Sequence, residues 1–260
     1  MWAWAVIVAG VVAMAVLVPM TLSRDSSLNT AGADGADTSA PAPSSSATSA
    51  PTAATSAAAE PLKILVLGDS YTGGSIEGGM GNAGWPSLLG ADLEAAGYEV
   101  VIDVSAAGGS GYVSPGPSAT TFVQLAERAG AGYDLAIIFG SRHDIADRAA
   151  IETAATATFE GIHAKSPNAR LLVIGPPWVD EDPPPSLLVA REAVAAAAAA
   201  AEASFVDPVD EGWFDGQFRK LIGADGVHPT NEGHRRMADL ILPRVTALLP
   251  ALGAASSPTP

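Results

Sequence analysis

From Leu62 onward the chain alternates short apolar runs with longer stretches of helical composition. "LKILVLG" (62–68) is an apolar run, broken only by Lys63 near its start and closed by glycine, the pattern of a buried strand. "WPSLLGADLEAAG" (85–97) then reads as a helix stopped by glycine. "YEVVIDVS" (98–105) is the second strand, "DLAIIFG" (134–140) the third and "ARLLVIG" (169–175) the fourth, with a helix predicted across 149–165. The alanine-rich "PSLLVAREAVAAAAAAAEA" (185–203) is helical on propensity alone. A short strand "SFVDPV" (204–209) and a final amphipathic helix "NEGHRRMADLILPRVTALL" (231–249) complete the series. Continuous apolar strands separated by helices predict a parallel sheet covered on both faces. The expected class is therefore α/β, a three-layer α/β/α sandwich on a central parallel sheet of about five strands. No internal repeat interrupts the pattern.

Two other regimes precede this domain. Residues 2–22, "WAWAVIVAGVVAMAVLVPMTL", carry no charge and would span about 31 Å as a helix, enough for a bilayer core. The run is longer than a signal-peptide core, has no basic n-region and lacks a small-x-small site close behind it, which favours an uncleaved anchor over a cleaved signal. Residues 23–60 shift to Ser, Thr, Pro and Ala with almost no bulky apolar side chain, so they cannot bury enough surface to fold. A coil of that length reaches roughly 35 Å, the dimension of a stalk. Arg24 favours a cytoplasmic side, but the stalk outweighs one arginine and the expectation is export with membrane attachment through residues 1–22. The folded domain is assigned to 61–252, and 253–260 to a disordered tail.

Composition narrows the chemistry. A formal net charge of −15, with only 13 Lys and Arg and no basic cluster, excludes nucleic-acid binding. The chain has no cysteine, which removes disulfides, thiolate metal sites and cysteine nucleophiles together. No phosphate-loop lysine is present, so nucleotide binding is disfavoured. No cofactor and no metal is expected, and the acids of "DEDPPP" (180–185) read as a solvated loop.

In an open parallel sheet, ligands bind beyond the carboxyl ends of the strands. There the chain places Gly68-Asp69-Ser70, "AAGGSG" (106–111), "GSRHD" (140–144) and, before the last helix, "DGVHPTNEGH" (225–234). A serine, a histidine and an acid are the parts of a nucleophilic triad, and glycines leave backbone N–H groups open to a reacting oxygen. Each piece alone has a plainer reading. Asp69 or Ser70 could cap a helix, Asp225-Gly226 could form a turn, and "GGSG" could be a tight bend. His163 and His234 read as helix-surface residues, and Trp178 and Trp213 as packing or pocket-lining side chains.

Together and in this order the blocks resemble the SGNH hydrolases, the GDSL esterase/lipase family. That resemblance covers the whole domain and implies a flavodoxin-like sandwich with Ser70 as nucleophile, His228 as base and Asp225 orienting the imidazole. It also implies an oxyanion hole formed by the N–H groups of Ser70 and Gly111 with a third donor from the block after the third strand. There the family has Gly-x-Asn-Asp, whereas "GSRHD" puts His143 in the place of the asparagine. A neutral imidazole still has one N–H to give. Activity should fall with rising pH if His143 has to be protonated. The glycines from Gly73 to Gly81 would keep the segment after Ser70 low and mobile.

The implied function is a serine esterase acting on short acyl or acetyl esters of lipids or carbohydrates. Two alternatives stand beside it: an O-acyltransferase of surface glycans using the same triad, and a non-catalytic binding domain with a degraded hole.

Overall fold

The computed structural model describes residues 60–250. The apolar run at 2–22, nearly all of the 23–60 stretch and the C-terminal tail lie outside the described residues. Within them, no helix is long and apolar enough to cross a membrane.

Five strands form one parallel sheet: β1 (Leu62–Gly68), β2 (Val100–Ala106), β3 (Leu135–Phe139), β4 (Arg170–Ile174) and β5 (Ser204–Val206). Their spatial order is β2-β1-β3-β4-β5. Among the described residues six α-helices flank them: α1 (Ser70–Gly73), α2 (Trp85–Ala95), α3 (Phe122–Arg128), α4 (Arg148–Lys165), α5 (Pro185–Ala200) and α6 (Asn231–Leu248). Alternation along each strand splits the core into two layers. Leu65, Leu67, Ala136 and Ile138 face α3, α4 and α5, while Ile64, Val66, Ile137 and Phe139 face α2 and α6. The sheet reverses its winding between β1 and β3, and the crevice that opens there at the carboxyl ends is where such folds bind ligands.

The expectation of a sheet covered on both faces fails at the edge. Val101 and Val104 of β2 are 45% and 50% exposed, because an edge strand has a neighbour on one side only. Asp103 and Ser105 interrupt the apolar run at that point, as the edge position permits.

The glycine-rich segment after α1 is tied down, contrary to the mobile loop expected. Gly79 N–H donates to Asn231 Oδ1 at 2.9 Å, Ala224 N–H donates to Glu77 Oε2 at 2.9 Å, and Ser75 bridges Gly78. Beneath it lies His234, which is 1% exposed and no surface residue. Its Nδ1 faces the Trp85 N–H at 3.4 Å, and burial together with the charge of His228 pushes its pKa down to about 4. Gly79 sits at φ +77°, and a Cβ there would lie 1.9 Å from His234 Nε2. Gly79→Ala is therefore expected to destabilise the domain by about 1–3 kcal/mol, read as a lowered midpoint in urea or thermal unfolding.

Candidate active site

The geometry starts with Asp69. As the N-cap of α1, it accepts the Tyr71 N–H on Oδ1 at 2.8 Å, which turns the chain sharply at the end of β1. Asp69 is wholly buried, and that burial raises its pKa to about 7 against the pull of the Tyr71 N–H and the Arg142 charge. The turn presents Ser70 at the crevice, on the first residue of a one-turn helix, so its N–H has no intrahelical acceptor.

Opposite, the loop before α6 supplies the imidazole and a carboxylate. His228 Nε2 lies 3.0 Å from Ser70 Oγ, and His228 Nδ1 lies 2.6 Å from Asp225 Oδ2. The second oxygen of Asp225 accepts the N–H groups of Val227 and His228 at 2.8 and 2.9 Å, so one tight turn fixes both side chains. Burial pushes the Asp225 carboxyl upward, but the His228 imidazole and the two backbone donors outweigh it and hold its pKa at about 2. An ionised Asp225 makes Nδ1 the protonated nitrogen and leaves Nε2 as an acceptor towards Ser70. Tyr71 braces the same loop, donating its hydroxyl to the Val227 carbonyl at 2.5 Å. The structure thus brings Ser70, His228 and Asp225 into one hydrogen-bonded line.

It does not bring Gly111 into that line. The Gly111 N–H donates to the Ser114 carbonyl at 2.8 Å, so this donor is already engaged. Gly111 packs against Asp144, whose carboxylate would lie 2.3 Å from a Cβ at that position. Asp144 accordingly acts as a buried clasp, accepting the N–H groups of Tyr112, Val113 and Ser114 at 2.9 to 3.0 Å. The glycine beside the serine is Gly108, where a Cβ would come 3.8 Å from Ser70 Cβ. Sequence reasoning missed it because the block "AAGGSG" offers three glycines and nothing in its composition sets the register of the bend.

His143 lies against Asp69, with Nε2 3.7 Å from Asp69 Oδ2, too long for a hydrogen bond. That nitrogen is buried and has no partner among the described residues. Burial, then the charges of Arg142 and His228, lower the His143 pKa below its ordinary value, so the ring is neutral near pH 7. Of the two tryptophans, Trp213 is core, packed edge-on to Phe139 with ring centres 5.8 Å apart. Trp178 is half-buried beyond β4, with Arg142 stacked 4.5 Å above its ring. The acids of "DEDPPP" line a shallow depression of about 400 Å³ with Gly216 and Arg219.

The three-layer parallel sandwich thus carries a serine, an imidazole and a carboxylate aligned at its switch point. Residues 66–236 match the model of the GDSL-like lipase/acylhydrolase family, and the chain belongs to that family. It is 40% identical over 188 residues to GDSL lipase Rv0518 of Mycobacterium tuberculosis, which covers 70% of this chain and 81% of that one. Among solved structures, the lipase/acylhydrolase from Enterococcus faecalis superposes with a TM-score of 0.59 at 19% identity, covering 74% of this chain and all of the other. Est24, a carbohydrate acetylesterase from Sinorhizobium meliloti, gives 0.57 at 18% identity, covering 72% of this chain and 100% of its own. At these identities the two structures share the fold, and the family assignment rests on sequence.

Proposed function

We propose that the protein is a serine esterase that cleaves carboxylic esters through an acyl-enzyme. The observation that carries this reading is the unbroken contact from Ser70 Oγ to His228 Nε2 (3.0 Å) and from His228 Nδ1 to Asp225 Oδ2 (2.6 Å). Ser70 Oγ attacks the ester carbonyl while His228 Nε2 takes its proton, and Asp225 stabilises the imidazolium that forms. His228 then returns the proton to the departing alkoxide. A water molecule, deprotonated by the same nitrogen, releases the acid and restores Ser70. A decayed binding domain would have no reason to keep all three groups in register.

The carbonyl oxygen becomes an oxyanion in the first step and needs donors. The Ser70 N–H, free at the start of α1, is one. Gly108, beside Ser70 and with no hydrogen bond from its N–H, replaces Gly111 as the backbone contribution from the second loop. His143 is the third, and its buried, unpartnered Nε2 supports that role. A neutral imidazole donates one N–H, so no loss of activity from deprotonation of His143 is expected as pH rises above 7. His143→Ala should lower kcat by about 10²–10³ at unchanged stability, and His143→Asn should restore most of it. Hydrolysis of p-nitrophenyl acetate by the two variants checks this, and an unaltered kcat in His143→Ala would remove His143 from the hole.

The half-exposed crevice and the likeness to an acetylesterase fold favour short acyl groups. Esters of increasing chain length test that preference directly. Placement outside the cytoplasm, with residues 1–22 as a membrane attachment, is proposed from the apolar run and the stalk composition. Fractionation of the full chain against a version lacking residues 1–22 tests it.

A further inference from the structure

Arg142 stands apart from the machinery described above. Its backbone belongs to the block after β3, one residue before His143, yet its side chain leaves the hole and runs towards the loop after β4. There it stacks on Trp178 with the guanidinium carbon 4.5 Å from the ring centre, and Nη1 lies 3.5 Å from the Tyr71 hydroxyl. Among the described residues it makes no ion pair within 4.0 Å. Asp180, which touches the same tryptophan, feels the Arg142 charge but forms no ion pair with it: it accepts Trp178 Nε1–H at 2.8 Å and faces Arg219 at 3.8 Å. The phenol of Tyr71 offers no counter-charge, since burial raises its pKa and keeps it neutral.

A half-buried guanidinium with no carboxylate in contact, only the more distant charge of Asp180, leaves its donors open to an incoming anion. Its distance from the reacting centre is short. The Tyr71 ring, which it touches, has its centre 6.3 Å from that of His228, and the Arg142 charge is felt at Asp69 and His143. A planar fork of donors held against a tryptophan at that distance suits a carboxylate approached edge-on. Contact with the Trp178 ring and the Tyr71 hydroxyl restrains the guanidinium, so less side-chain freedom remains to be lost on binding.

We propose that Arg142, held by Trp178 and Tyr71, is a specificity-determining residue that receives a carboxylate carried by the ester substrate, so that the site prefers acidic esters over neutral ones. The proposal rests on the esterase reading and adds the class of ester to it. An acid on either side of the scissile bond could reach the fork, and the test separates the two.

The experiment uses the full chain and two matched pairs of esters. 4-Acetoxybenzoate and 4-acetoxybenzamide place a carboxylate or a neutral isostere on the alcohol side. The mono-4-nitrophenyl esters of adipic and adipamic acid do the same on the acyl side. In at least one pair, kcat/KM of the acid should exceed that of the amide by about tenfold or more, which corresponds to about 1.4 kcal/mol. In Arg142→Gln that ratio should fall to near one, and in Arg142→Lys only part of it should survive, because a point charge lacks the fork. A strut role for Arg142 lowers both members of a pair alike and leaves the ratio unmoved; that result overturns the proposal, as does a ratio of one in the unaltered protein. Calorimetry of Ser70→Ala with 4-acetoxybenzoate and with the adipate ester gives a readout free of turnover. If the unaltered protein cleaves none of the four, the esterase reading fails and binding alone decides on Arg142. Saturable binding of an acidic ester, lost with Arg142→Gln, keeps the carboxylate site, and no such binding ends it.

Discussion

Ser70→Ala is expected to lower kcat for p-nitrophenyl esters by roughly 10⁵-fold or more while leaving the fold intact. The hydroxyl is the atom that forms the bond to the acyl carbon, and among the described residues no other hydroxyl is hydrogen-bonded to His228. Ser110 and Ser141 are both buried, and their hydroxyls donate to the backbone carbonyls of Thr120 and Ser110 at 2.7 Å. Stability should change little, because the cap of α1 is Asp69 rather than Ser70 and alanine is well tolerated in a helix. A thermal melt beside the kinetic assay separates the two effects. What activity remains comes from the oxyanion donors and substrate binding alone.

Asp225→Asn should cost about 10⁴-fold in kcat although nothing in the loop has to move. Oδ1 of the side chain would still accept the N–H groups of Val227 and His228, so the turn survives. The amide, however, can offer its NH2 to His228 Nδ1, which places the ring proton on Nε2 and leaves no base facing Ser70. It also removes the charge that stabilises the imidazolium. The pH dependence has a definite sign. Hydrogen bonding to His228 and two backbone donors, overcoming burial, holds the Asp225 pKa at about 2, below the usual carboxylate value. Its stabilisation is thus present above about pH 4 and is lost only as pH falls through 2. Asp225 protonation should therefore leave no inflection in kcat between about pH 4 and pH 9, and a pH–rate profile of the unaltered protein checks it. The side chain is 34% exposed, so the loss of stability at low pH from this group alone should be small.

The sheet was legible because the buried stretches of its central strands are apolar without a break. β1, β3 and β4 fall at their expected places, since runs of four or five consecutive buried residues between helices are the mark of interior parallel strands. The helix α3 was not foreseen, although Thr121 and Gln124 form a capping box ahead of Phe122. It is short and sits in a stretch rich in Gly, Ser and Pro, which hides its single apolar face. The Ser70–His228–Asp225 alignment followed from motif order, because Asp225 and His228 share one turn and Ser70 stands two residues beyond the end of β1. What the residues could not convey was backbone direction within the glycine block. Gly108 and Gly111 differ in which N–H is free, and that depends on the clasp of Asp144 on Tyr112, Val113 and Ser114, contacts made across some thirty residues of sequence. The burial of His234 was hidden for a similar reason. The face of α6 that points inwards is covered by the segment around Gly79, whose path is set by its bond to Asn231.

The most direct test is covalent. The full chain is treated with a fluorophosphonate, its intact mass is measured, and the adduct is mapped by peptide sequencing. A single adduct on Ser70 that is absent from Ser70→Ala and strongly slowed in Asp225→Asn is the predicted result. Esterase activity that persists in Ser70→Ala, or an adduct carried by another residue, would contradict it.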